Sequence, residues 1–178
     1  MFLLNHAAPQ NASGRIKEIY DLFPPAMGPP LPLQLISASP GFMLSQFEIM
    51  KYFTGHERLS FHLLAAIRYM AADACDYDYC IAFNRNLLIA SGASEIEVSA
   101  ILKDPDNAPL EEREKALLKF VSKAIRTPER VGREDIEALH ALGWSDPDII
   151  DAVAHGAFMR GHATLMQAFM ENKNPWTQ

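Results

Sequence analysis

Cysteine, basic charge and long apolar runs are all scarce in this chain, and each shortage removes a class of function. Two cysteines, Cys75 and Cys80, cannot build a disulfide framework or a cysteine-only zinc site, so any role they have is local. A net charge of −6 without a basic cluster offers nothing to nucleic acid or to an anionic membrane surface. No apolar run approaches the length that crosses a bilayer. The opening "MFLLNHAAPQ" has too short an apolar run, and no charged n-region, for a signal peptide. The sequence therefore reads as cytoplasmic, where thiols are kept reduced. A glycine-rich phosphate loop, a Gly-x-Ser-x-Gly elbow and a cofactor fingerprint are also missing, and no cofactor is expected.

Strand signals are scarce too. Alternating segments are absent and β-branched content is low, so the expected fold class is all-α. With 178 residues, 49% apolar and 21% charged, the chain has the composition of a globular protein, read as one domain over 1–178.

Helix starts and stops punctuate the sequence throughout. A first helix is expected near Arg15–Leu22, followed by the proline-rich "PPAMGPPLP", which cannot be helix interior. Ser39-Pro40 offers an N-cap with proline at the first helical position. Another helix starts after Leu59-Ser60, and the next runs from about Asp78 to Ala90. "SEIE" at 94–97 is a capping box. Leu117, Leu118, Val121 and Ile125 form a stripe behind the acidic turn "LEERE". Short and long helices are expected over about Arg133–Leu142 and from "SDPD" to about Glu171. His56, Glu57 and Arg58 read as an exposed turn.

The order of these features, with "LSFHLLAAIRYMAADACDYDYCIAFN", "GASEIEVSAIL" and "DIEALHALGWSDPDIIDAVAHGAFM", resembles the alkylhydroperoxidase D-like branch of the carboxymuconolactone decarboxylase family. The resemblance covers nearly the whole chain and rests on the ordered set of motifs. It implies an all-helical alkylhydroperoxidase D-like fold that forms homo-oligomers, trimers or hexamers. It also implies an antioxidant peroxidase activity supplied with electrons by a thiol or lipoyl partner. Redox members carry Cys-x-x-Cys at a helix start, with a histidine four residues later and a glutamate about twelve residues earlier. Residue by residue, Cys80 takes the slot of the second cysteine. Tyr77 stands in the first-cysteine slot, Asn84 in the histidine slot and Ala65 in the glutamate slot. The decarboxylase pattern fits no better.

Helix geometry decides whether Cys75 can replace the missing cysteine. Residues five apart on a continuous helix have Cα atoms roughly 8.6 Å apart, beyond the ~4.4–6.8 Å a disulfide spans. A Cys75–Cys80 bridge requires "DYDY" to be a turn leading into the helix. Asp76 and Asp78 are good cap residues, and Asp78 as cap puts Cys80 in the first turn. There the helix terminus favours a thiolate and the aspartates oppose it. Asn84 can face Cys80 one turn later and hydrogen-bond a thiolate, but passes no proton. His62, on the preceding helix, is the candidate substitute proton carrier, and Tyr77 a candidate donor.

The resulting site is catalytic Cys80 with Cys75 as resolving thiol, and His62, Asn84 and Tyr77 around them. The leading function is a divergent thiol-dependent peroxidase. The alternative is an inactive oligomeric scaffold that binds a small molecule near Cys80, Tyr77, Tyr79 and His62. Arg68 is a further candidate to stabilise a thiolate or an anionic ligand. His155 and His162, seven apart, are too widely spaced for the usual one-helix metal pair, and Gly156 and Gly161 suggest close helix packing instead. No metal is expected.

Overall fold

The computed structural model describes residues 2–25 and 28–171, and most of them are helical. In chain order the α-helices are α1 Gly14–Tyr20, α2 Leu31–Ile36, α3 Pro40–Thr54, α4 Phe61–Asp73, α5 Asp78–Ala90, α6 Glu95–Ile101, α7 Glu112–Arg126, α8 Arg133–Ala141 and α9 Asp146–Phe169. The extended pairing among the described residues is a single bridge, Phe2 with Met170. The all-α expectation holds.

Most helix starts obey local chemistry. The Ser60 hydroxyl accepts the Leu63 N–H at 3.1 Å to open α4. Ser94 and Glu97 form the expected reciprocal box ahead of α6. At α9 the box is built from Ser145 and Asp148, each side chain accepting the other's backbone N–H. Burial pushes the Asp148 carboxyl up, but Ser145 and the Arg58 guanidinium outweigh it and hold it below the ordinary range. α2 was not among the expected helices. It starts on Pro30 with Pro32 in its first turn, where a missing N–H costs no hydrogen bond. Two residues of the proline-rich stretch, 26 and 27, lie outside the described residues.

The chain gathers into two compact units. The first takes residues up to Gly55 together with those from Thr164 onward. Its core joins Ile19 and Tyr20 of α1, Ile36 of α2 and Met43 of α3, with Leu165 packed against them. The Leu3 N–H also donates to the Phe169 carbonyl at 2.8 Å.

The second unit, His56–Ala163, is organised around α4. Leu63, Leu64, Ala65, Ala66, Ile67, Tyr69, Met70, Ala71 and Ala72 are all buried, so this helix is apolar nearly all round. The stripe of α7 is buried as expected. α9 comes closest at Gly156. A Cβ there would stand 2.3 Å from Ile125 Cδ1 and 3.3 Å from Ile67 Cγ2, so a methyl group would have to push the Ile125 side chain aside. Gly161 has open space at the same test, and the close-approach reading holds for Gly156 alone.

The turn before α4 also departs from expectation. Glu57 and Arg58 are exposed, but His56 is largely buried and ties the turn to α9. Its Nε2 lies 3.2 Å from Asp151 Oδ2, and its Nδ1 accepts the N–H groups of Arg58 and Leu59.

Candidate active site at the α4–α5 turn

The two cysteines sit on either side of one tight turn. α4 ends at Asp73, and the Cys75 and Asp76 N–H groups close the turn onto the carbonyls of Ala72 and Asp73. Asp76 then adopts φ +50°, the left-handed conformation that aspartate tolerates better than most residues. Tyr77 is extended and is the N-cap of α5, and Asp78 is the first helical residue rather than the cap. The condition that "DYDY" interrupt the helix is met.

Cys80 lies in the first turn of α5 and is 2% exposed, whereas Cys75 is half-buried, and the two are not joined in a disulfide. Burial, reinforced by charge on Cys75, pushes the Cys80 thiol up to about 12. Desolvation thus wins the contest left open between helix terminus and aspartates. Burial raises the Cys75 thiol too, and the Arg160 guanidinium, which hydrogen-bonds its sulfur, and Arg126 offset that rise only in part. Tyr77 is buried beside them, its phenol pushed up to about 12 by burial and by the neighbouring Cys80 and Tyr79. The Tyr79 ring lies 6.2 Å from that of Tyr77 and stacks on Phe83.

Asn84 is fully buried but does not serve the sulfur. Its Nδ2 donates to the Cys80 carbonyl at 2.8 Å, and its Oδ1 accepts from Arg68 Nε at 3.0 Å. Arg68 in turn donates through Nη1 to His155 Nε2 at 2.8 Å. The His155 ring is also hydrogen-bonded to the Leu64 backbone. An imidazole nitrogen that accepts from a guanidinium carries no proton, so His155 is neutral. Burial first, then the Arg68 charge, lowers it to about 3. Burial lowers Arg68 itself to about 10, which leaves it charged at neutral pH. Among the described residues Arg68's partners are Asn84 and His155, with no carboxylate.

The row Cys80–Asn84–Arg68–His155 thus consists of groups that do not exchange protons near neutrality. His155 was not among the expected site residues. The available signal was an arginine on α4 and a histidine on a second apolar helix, but their contact spans 87 positions of sequence.

His62 stands elsewhere. It is exposed, its Nε2 is 3.3 Å from the Ser91 carbonyl at the far end of α5, and eleven residues of helix put that point roughly 16 Å from Cys80. It does not reach the thiols because α4 runs antiparallel to α5, so its first turn meets the last turn of α5. Cys75, Cys80, Tyr77 and Asn84 are brought together. Among the described residues no three His, Cys, Asp or Glu side chains gather as a metal ion would require.

No protein-family model and no curated protein matches the chain. Solved structures do. A peroxidase-related protein from Silicibacter sp. superposes with TM-score 0.76 at 16% identity, over 97% of this chain and 95% of that one. An alkylhydroperoxidase AhpD core protein from Ralstonia eutropha gives 0.72 at 20% identity, over 87% and 80%. The debrominase Bmp8 in complex with 2,3,4-tribromopyrrole gives 0.65 at 18% identity, over 86% and 80%. At these identities the likeness speaks for architecture, and the chain has the all-helical fold of the AhpD-like peroxidase-related proteins.

Proposed function

We propose that this protein is a thiol-dependent oxidoreductase that reduces hydroperoxides through Cys75 and Cys80. The observation that carries the reading is the turn between them. It frees the two cysteines from the helical spacing that would forbid a bridge, and it puts Cys80 in the first turn of α5, where the family resemblance places a redox cysteine. The peroxidase-related neighbours support the same class of chemistry. In the balanced reaction two thiols and a hydroperoxide yield one disulfide, an alcohol and water. A thiol or lipoyl donor then returns the disulfide to dithiol by exchange. Cytoplasmic location and assembly into trimers or hexamers belong to the same proposal.

Intact mass under non-reducing conditions, after about one equivalent of peroxide and alkylation of the remaining thiols in denaturant, tests this reading. A monomer lighter by about 2 Da that takes up no alkylating agent is the expected product. Two fully alkylated cysteines after peroxide would overturn it.

A second reading has its own observation. Cys80 is 2% exposed with its thiol held protonated, and the row behind it exchanges no proton, as suits a scaffold that binds without turnover. The debrominase complex illustrates a small heteroaromatic ligand on this fold. On that reading Cys80→Ser binds such a ligand as tightly as the parent and peroxide leaves both thiols unchanged.

A further inference from the structure

The two sulfurs are not equivalent, and their difference runs against the order that the family slots suggest. Cys80 occupies the matching slot but is sealed among buried side chains. Cys75 matches no slot, yet it is the thiol with access to solvent, and it is the one that cations address. Arg160 reaches it from α9, one turn beyond Gly156, where that helix presses against α7. The same guanidinium donates Nη1 to the Ile125 carbonyl at 2.6 Å, capping the last turn of α7 and fixing its own position. Arg126, also in that last turn, is held by an ion pair of 2.5 Å to Asp73, two residues before Cys75. Arg160 from α9 and Arg126 from α7 thus bring positive charge to the Cys75 thiol, and Cys75 in turn acts on Cys80 of α5.

We propose that Cys75 is the thiol that attacks the peroxide, with Arg160 stabilising its anionic forms, and that Cys80 resolves the product. This rests on the thiol-oxidoreductase reading and reverses the roles within it. In the first step the Cys75 thiolate attacks the terminal oxygen of a hydroperoxide. The O–O bond breaks, the alkoxide leaves and takes a proton from water, and Cys75 becomes a sulfenic acid. In the second step the Cys80 sulfur attacks that of Cys75, hydroxide leaves, and the proton lost by Cys80 makes it water. Two electrons have passed from the dithiol to the peroxide. A buried resolving thiol suits this order, because it attacks a sulfenic acid within the protein and need not be reached by the peroxide.

The experiment exposes the parent and Cys80→Ser to sub-equivalent hydrogen peroxide in the presence of a 1,3-dione that captures sulfenic acid, and maps the adducts by peptide mass. The adduct is expected on Cys75, several-fold more abundant in Cys80→Ser because nothing resolves it. Arg160→Met is expected to slow alkylation of Cys75 by about tenfold, the loss in thiolate fraction for one unit of pKa, and to move its pH profile upward. Arg160→Lys should recover part of that rate, which a purely structural role would not do. An adduct confined to Cys80 would overturn the proposal and leave the oxidoreductase reading standing. Neither adduct nor disulfide in the parent would overturn both. The parent alone decides these outcomes if the serine variant does not fold.

Discussion

Asn84 occupies the position where a proton-carrying side chain would stand on the family pattern, and its amide does a structural job instead. It joins the Cys80 carbonyl to the Arg68 guanidinium from a site with no exposure. Asn84→Leu should therefore destabilise the protein by about 3 kcal/mol, since it strands a buried cation on one side and a carbonyl on the other. Urea unfolding measures this, and a loss below about 1 kcal/mol would mean that Arg68 finds another partner. Access to the thiols makes a second prediction at this scale. Iodoacetamide at mildly alkaline pH should label Cys75 in the native protein and reach Cys80 only after denaturation, because the Cys80 thiol is sealed and protonated. Equal labelling of both in the folded state would contradict the burial described.

Between elements, α9 passes closely over α4 and α7 at Gly156. Gly156→Ala should cost about 1–3 kcal/mol by overpacking, because the new methyl meets Ile125 Cδ1. Ile125→Val removes that atom, so the double variant should be more stable than the sum of the two single effects. Additive losses in thermal unfolding would show that the clash is relieved elsewhere. Elements of this kind were legible in the sequence wherever a start or a stop was local. Ser60 and the Ser94–Glu97 pair punctuate the chain within a few residues, and α5 begins and ends where the sequence implies. α2 was missed because proline was read as a stop when it stands in a first turn. The site was legible in part for the same reason. Cys80, Asn84 and Tyr77 share one short stretch, and their proximity follows from helical spacing. The Arg68–His155 contact, the displacement of His62 and the approach of Arg160 to Cys75 depend on which helix faces which, and no spacing within one segment encodes that.

For the whole molecule, two half-buried histidines set a direction for acid stability. Burial lowers both His155 and His162 below the ordinary value of 6.5, His155 to about 3. Between those limits the unfolded chain binds a proton that the folded His155 refuses, so acid favours unfolding. The contribution of His155 is complete above about pH 6.5 and falls as the pH drops toward 3, by up to about 1.4 kcal/mol per pH unit, and His162 acts in the same direction. Urea midpoints should decline from pH 6.5 to 5, above the carboxylate range. His155→Gln, which can accept from Arg68 without titrating, should flatten that decline. An unchanged slope would place the acid sensitivity elsewhere.

The row behind Cys80 has one more consequence, for kinetics. From pH 5 to 9 Arg68 stays charged, His155 stays neutral and Asn84 has nothing to ionise. Enzymes that work through a titrating acid and base show two limbs in their rate profile, one for each group. On the proposed thiol route the sulfur is the group of this row that ionises, so peroxide consumption should climb with pH across that range on a single limb, with no alkaline fall.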